Sequence, residues 1–262
     1  MREHARDTVT HRVVSRLGRK VREVSGKKIL RVRALAMFAK VPRPGAVKTR
    51  LVPPLTYDED AALARAFIED TSTALVAAAL TSGAEPVAFY APRDGKAEMR
   101  ALLADGIRQY AQSGSDLGER LTAAYRQLAE AGLETVCFVG ADSPTLPRDC
   151  ILDAFAALHA GSDVVVGPAA DGGCYLIGLR AGHIGVFTGI DWSTARVFAQ
   201  MSERTAALGL ALTVLREWYD VDDAVSLWRL RDELLAANRG IEHENEAPRT
   251  RAMLSSLARN PP

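Results

Sequence analysis

The stretch ALAMFAKVPRPGAVKTRL, from Ala34 to Leu51, decides how this chain is read. Its first six residues, Ala34 to Ala39, form an apolar run of the length expected for a buried strand. The twelve that follow pack two prolines, one glycine (Gly45) and four cations, Lys40, Arg43, Lys48 and Arg50, into a turn. Open α/β sheets bind ligands beyond the carboxyl ends of their strands. A stiff cationic loop at that place suits phosphate, with Lys as a point charge and Arg as a bidentate fork. Read alone, the same loop is equally a solvated basic turn.

Working outward, the apolar periodicity alternates between helix and strand. Asp58 to Leu80 carries Leu63, Phe67, Ala74 and Leu75 on one side of a helix that Gly83 ends. Strands are expected over Glu85 to Ala91, Ile107 to Ala111, Thr135 to Val139, Asp163 to Val166, Cys174 to Leu179 and Leu210 to Leu215. Between them lie helical patterns over Lys96 to Ala104, to about Ala131 after the loop Gln112 to Arg120, from Pro147 to about His159, and from Thr194 to Leu208. Asp220 to Asp223 opens the last main helix, and a short helical pattern covers Thr250 to Leu257. Such alternation predicts an α/β fold with a mostly parallel sheet and helices on both faces. No repeat or low-complexity linker divides it, so residues 34–262 read as one domain.

Residues 1–33 stand apart. They hold eleven Lys and Arg against three Asp and Glu, about +8, and leave the remainder near −7 within a net charge of +1. This basic extension reads as disordered or partly helical, with weak membrane contact as an alternative. An acidic body argues against nucleic acid on the core. Three cysteines, Cys137, Cys150 and Cys174, lack zinc spacing, and no apolar stretch is long enough to span a bilayer. A reduced, cytoplasmic protein is expected.

Four groups carry candidate chemistry. Asp142 lies in Gly-Ala-Asp-Ser-Pro just past a buried strand, where a carboxylate can hold Mg²⁺ or bond its own turn. Asp220 and Asp222 follow another strand, where the competing role is helix capping by Asp222 or Asp223. A calcium loop is excluded because Ala224 and Arg231 occupy ligand positions. Asp171-Gly172-Gly173 allows close approach to a ligand or simply a tight turn. Gly114 to Arg120 leads into a helix N-terminus that suits an anion or a nucleotide edge. Walker spacing, G-x-G-x-x-G and G-x-S-x-G are all missing, and the five histidines are scattered.

Taken in order, F-A-K-x-P-x-P-G-x-V-K-T-R-L, G-A-D-S-P, D-G-G-x-Y-L-I-G-L, W-S-T and D-V-D resemble the DUF2064 family, over roughly Ala34 to Leu257. The resemblance implies a GT-A (Rossmann-like) three-layer sandwich of the nucleotide-diphospho-sugar transferase superfamily, similar also to the 2-phospho-lactate guanylyltransferases. It implies that Lys40, Lys48 and Arg50 hold donor phosphates, and Gly45 and Gly114 are counted with them as candidate donor-binding residues. It implies Mg²⁺ or Mn²⁺ at Asp142 and Asp222, with Asp220 counted as a third candidate ligand. Asp171, Gly172 and Gly173 would border the acceptor. Lys48, Asp142 and Asp222 would carry the catalysis. Two departures stand out: relatives read D-V-D-T-P-E-D-L where this chain has Asp220 to Leu227, and an aromatic where it has Cys174.

Two transfers share such apparatus, one from a nucleoside triphosphate and one from a nucleotide-sugar, each to a small-molecule acceptor. Four clustered cations suit a triphosphate, and Asp142-Ser143-Pro144 replaces the Asp-x-Asp of many glycosyltransferases. The expectation is nucleotidyl transfer to a phosphorylated acceptor. Glycosyl transfer and a non-catalytic nucleotide-binding protein are the alternatives.

Overall fold

The structure is a computed structural model that describes residues 23–24, 27–28, 33–180, 182–235 and 247–257. It divides into residues 1–30 and a body of residues 31–262. In the first unit, Glu23–Val24 pairs antiparallel with Lys27–Lys28. The other readings made for the basic extension, membrane contact included, lie outside the described residues.

The body is built on a seven-stranded sheet. Its strands are β1 (Arg33–Lys40), β2 (Glu85–Ala91), β3 (Arg108–Ala111), β4 (Thr135–Gly140), β5 (Val164–Pro168), β6 (Cys174–Leu179) and β7 (Leu212–Val214). The spatial order is β3-β2-β1-β4-β6-β5-β7. Every neighbouring pair is parallel except the two made by β6, which runs antiparallel to both β4 and β5. The helices are α1 (Tyr57–Ser82), α2 (Lys96–Leu102), α3 (Leu117–Glu130), α4 (Arg148–Ala160), α5 (Val197–Ala207), α6 (Ala224–Leu235) and α7 (Pro248–Ser256).

Between its charged ends, Arg33 and Lys40, the first strand is apolar because both its faces are covered. Leu35, Met37 and Ala39 enter one buried cluster with residues of α1, α2 and α4, while Ala34 and Ala36 enter another with residues of α3 and α5. Helices on both faces of the sheet give three layers. A third cluster joins Leu51 and Leu55, just after the cationic loop, to Leu63 and Phe67 of α1, Tyr219 and Val221, and residues of α6 and α7. It anchors the far end of the loop to the segment carrying Asp220 and Asp222.

Helix starts follow local chemistry. Thr56 and Glu59 form a reciprocal capping box on α1, and Gly83 closes that helix at φ 69°. On α3, Asp116 accepts from the Glu119 amide at 2.9 Å, and the Glu119 carboxylate accepts from the Ser115 amide at 2.8 Å. On α6 the cap is Asp223, which accepts from the Ser226 amide at 2.8 Å. Asp222 is thereby left free for other work.

The turn Asp171-Gly172-Gly173 joins β5 to β6 and meets the Ala195 to Phe198 segment backbone to backbone. The Phe198 amide donates to the Gly172 carbonyl at 3.0 Å. Gly172 has φ +86°, and a Cβ there would lie 2.1 Å from the Ala195 carbonyl oxygen. Gly172→Ala should therefore destabilise the body by about 2 kcal/mol or more, read as a lower denaturant midpoint at unchanged slope.

Candidate functional site

Three chain segments converge on the ammonium of Lys48. One is the loop after β1, another the turn after β4, and the last the run after β7. Beyond β7 the chain keeps alongside β5, with Trp218 donating to the Pro168 carbonyl at 3.1 Å. It then crosses the start of β6 to reach the turn after β4, where the Val221 amide donates to the Asp142 carbonyl at 2.9 Å. That bond sets Asp142 and Asp222 side by side.

Lys48 closes the arrangement. Its backbone is left-handed, φ 43° and ψ 29°, a conformation shared among the described non-glycine residues only with Ser193 and Ala247. Such a residue stores strain of about 1 kcal/mol, held in place by its surroundings. Its Nζ donates to the Val221 carbonyl at 2.7 Å and lies 2.8 Å from both Asp142 Oδ1 and Asp222 Oδ1. The lysine side chain is 8% exposed, and the two carboxylates remain about half open, at 48% and 46%. Burial pulls the lysine pKa down, but the charges of Asp142 and Asp222 outweigh it and hold the ammonium above its ordinary range.

Asp220 takes a different place. Its carboxylate accepts from the Ser143 hydroxyl, which also bonds the Tyr219 carbonyl at 3.0 Å. Burial raises Asp220 to about 6, and the nearby charges of Asp142 and Asp222 push the same way. Two carboxylates, not three, therefore face Lys48, and Asp220 stands behind them as their neighbour. Among the described residues no group of three or more His, Cys, Asp or Glu is placed to hold a metal ion. The pair still fits a hard divalent cation. Its donors are carboxylate oxygens on adjacent turns, and Mg²⁺ commonly takes one or two carboxylates plus phosphate and water. An ammonium already held between them shows that the spot favours positive charge.

The remaining sequence candidates divide. Lys40 and Arg50 are exposed, Lys40 at the last position of β1. Arg43 is turned away to α2, where it pairs with Glu98 at 2.6 Å and Asp94 at 3.4 Å. Gly45 is exposed at φ 73°. Asp171 Oδ1 accepts from the Gly173 amide at 2.8 Å, so the side chain serves its own turn. Gly114, at φ +133°, would place a Cβ 2.7 Å from Glu119 Cβ, so this glycine is required by packing against the start of α3. Cys174 borders Asp220 and Asp171, and burial pushes its thiol up to about 12, which keeps it protonated and unreactive.

Two further features stand out, one beside the Gly114 loop that the sequence singled out and one that the sequence reading missed. A cavity of about 520 Å³ opens between the Gly114 loop and the Phe187–Trp192 segment, lined in part by Thr122, Arg126 and Trp192. Lys48, Asp142 and Asp222 are not among its walls. The second is Asp60, fully buried in the first turn of α1 with neither carboxylate oxygen hydrogen-bonded. Its signal was available, since it falls three and seven residues before Leu63 and Phe67 on the apolar stripe.

Comparison with solved structures places this architecture among nucleotide-handling transferases. A provisionally named nucleotide-diphospho-sugar transferase from Desulfovibrio desulfuricans G20 superposes with a TM-score of 0.73 at 29% identity, covering 86% of this chain and 98% of that one. CMP:2-keto-3-deoxy-manno-octonic acid synthetase complexed with CTP shares the fold at a TM-score of 0.53 and 9% identity, over 79% of this chain and 99% of that one. So does 4-diphosphocytidyl-2C-methyl-D-erythritol synthase, at 0.50 and 12%, over 78% and 98%. The mixed α/β sandwich expected from the sequence is the fold observed. The family model described as "Uncharacterized protein conserved in bacteria (DUF2064)" matches residues 74–194, which bears out the resemblance over that stretch. No curated protein matches the chain. Among the described residues no helix is long and apolar enough to cross a membrane.

Two measurements check the site's electrostatics and its scaffold. Burial raises Asp60 to about 6, partly offset by the charge of Lys48. Its protonated form thus contributes stability that is full below about pH 4 and lost as pH rises through about 6. Asp60→Asn should be more stable than the wild type by about 2 kcal/mol at pH 7.5, the advantage vanishing near pH 4 in urea titrations. Asp223→Ala should cost about 1 kcal/mol through the lost cap, visible as a lower melting temperature.

Proposed function

We propose that this chain is a divalent-cation-dependent transferase that moves a nucleotidyl group from a nucleoside triphosphate to a phosphorylated small-molecule acceptor. The observation that carries this reading is the convergence of Lys48, Asp142 and Asp222 within 2.8 Å contacts beyond the carboxyl ends of β1 and β4. In such a reaction an acceptor phosphate oxygen bonds to the α-phosphorus and the bond to pyrophosphate breaks. The chemistry is chiefly positioning and charge stabilisation.

Asp142 and Asp222 would hold Mg²⁺ or Mn²⁺. Bound there, the ion would supply Lewis-acid stabilisation of phosphate charge. Lys48 would meet donor phosphate from below, and Lys40 and Arg50, both exposed on the same loop, from the solvent side. Arg43 is committed to α2, so three cations of the loop serve the donor. The lone Asp142 followed by Ser143, whose hydroxyl is engaged with Tyr219 and Asp220, supports the nucleotidyl reading over an Asp-x-Asp glycosyltransferase. The name of the Desulfovibrio neighbour favours the second reading, a nucleotide-sugar donor.

A donor screen separates the two. With Mg²⁺ present, one nucleoside triphosphate should stabilise the protein by about 2.7 kcal/mol at a hundredfold excess over its dissociation constant, read by thermal shift. Stabilisation by nucleotide-sugars alone would sink the nucleotidyl reading. Asp142→Asn should abolish the Mg²⁺-dependent part of the shift and lower pyrophosphate release by about 10²-fold.

A further inference from the structure

The ammonium of Lys48 has three N–H groups and three acceptors, the Val221 carbonyl at 2.7 Å and one oxygen each of Asp142 and Asp222 at 2.8 Å. An ammonium has no further donor. The three N–H groups of the lysine expected to hold phosphate are thus matched one to one by acceptors of the protein. The ammonium also takes one oxygen of each carboxylate, so that a divalent cation bridging those same oxygens would compete with it. The two roles assigned to this corner, cation binding by the aspartates and phosphate binding by the lysine, both compete with one ion cluster.

We propose that Lys48 is the resident cation of this site, and that a divalent ion entering between Asp142 and Asp222 expels its ammonium and so frees it for the donor. This inference rests on the cation reading given above. It makes cation entry a precondition for full donor binding, with Lys48 as the coupling element.

Three features support the exchange. A hard divalent ion seeks closer carboxylate contacts than an ammonium does, so the two cannot share the same pair of oxygens. Lys, unlike Arg, is a compact charge on a flexible four-carbon stem, able to swing away from its partners while its backbone stays fixed. The backbone of Lys48 is pinned by the 2.8 Å bond from the Leu51 amide to its carbonyl, and Leu51 is fully buried in the third apolar cluster. The stem can therefore move while the loop does not.

Amine labelling tests the exchange directly. The full-length protein is treated with a water-soluble acylating reagent, with and without Mn²⁺ and without nucleotide. Acylation of Lys48 is quantified by mass spectrometry against the exposed Lys40. Bound Mn²⁺ is counted in parallel by electron paramagnetic resonance. Labelling of Lys48 relative to Lys40 should rise several-fold when Mn²⁺ binds. Lys48→Met, checked for folding by its melting transition, should bind Mn²⁺ about 10-fold more tightly if the ammonium fills the site nine-tenths of the time. Bound Mn²⁺ that Asp142→Asn removes, with Lys48 labelling unchanged, would overturn the exchange and leave the cation reading standing. Unchanged Mn²⁺ affinity in folded Lys48→Met would do the same. No bound Mn²⁺ in either protein would overturn both.

Discussion

One ammonium holds the working end of this protein together. Lys48 reaches from the loop after β1 to a carbonyl and a carboxylate on the run after β7, and to a carboxylate on the turn after β4. Those three segments are far apart in the chain, and two of them are turns with no regular hydrogen-bond ladder of their own. A buried lysine between two carboxylates costs desolvation that only close contacts to both can offset. The site is thus a set of mutual dependencies. The Val221 amide bonded to the Asp142 carbonyl aligns the two aspartates, and the aspartates in turn keep the ammonium charged.

The rest of the fold serves to present that corner. The sheet is covered on both faces, so the strand ends are the places where polar groups can face solvent without breaking the core. The third apolar cluster fastens Leu51, Leu55, Tyr219 and Val221 on either side of the catalytic candidates. Strain at Lys48 is tolerated because Leu51 anchors the next turn. The Asp171-Gly172-Gly173 turn, for its part, works as a chain contact: Gly172 admits the Ala195 carbonyl, and Asp171 bonds the amide of Gly173.

The elements themselves were largely legible in the sequence. The strands over Glu85 to Ala91 and Cys174 to Leu179 have the expected bounds, and the other helices and strands differ by a few residues at their ends, where hydrogen bonding frays. What periodicity could not reveal was direction. Cys174 to Leu179 is as apolar as the parallel strands of the sheet, because a strand buried on both faces looks the same whichever way it runs. Its antiparallel course comes from the short turn after β5, which allows only a hairpin return.

For the site, the sequence by itself determined which residue types were at hand and near which strand ends they lay. A cationic loop after the first strand, Asp142 after the fourth and an aspartate pair before the penultimate helix are properties of local order. Tertiary structure, with one local cap, decided which of them meet. Arg43 left the group because α2 offers Glu98 and Asp94 within reach. Asp223 took the helix cap because Ser226 stands three residues on, and that freed Asp222. Asp220 turned to Ser143 because the two turns are side by side in space. The contacts of Arg43 with Asp94 and of Asp220 with Ser143 join residues 51 and 77 positions apart, and no local pattern encodes a distance across the sheet.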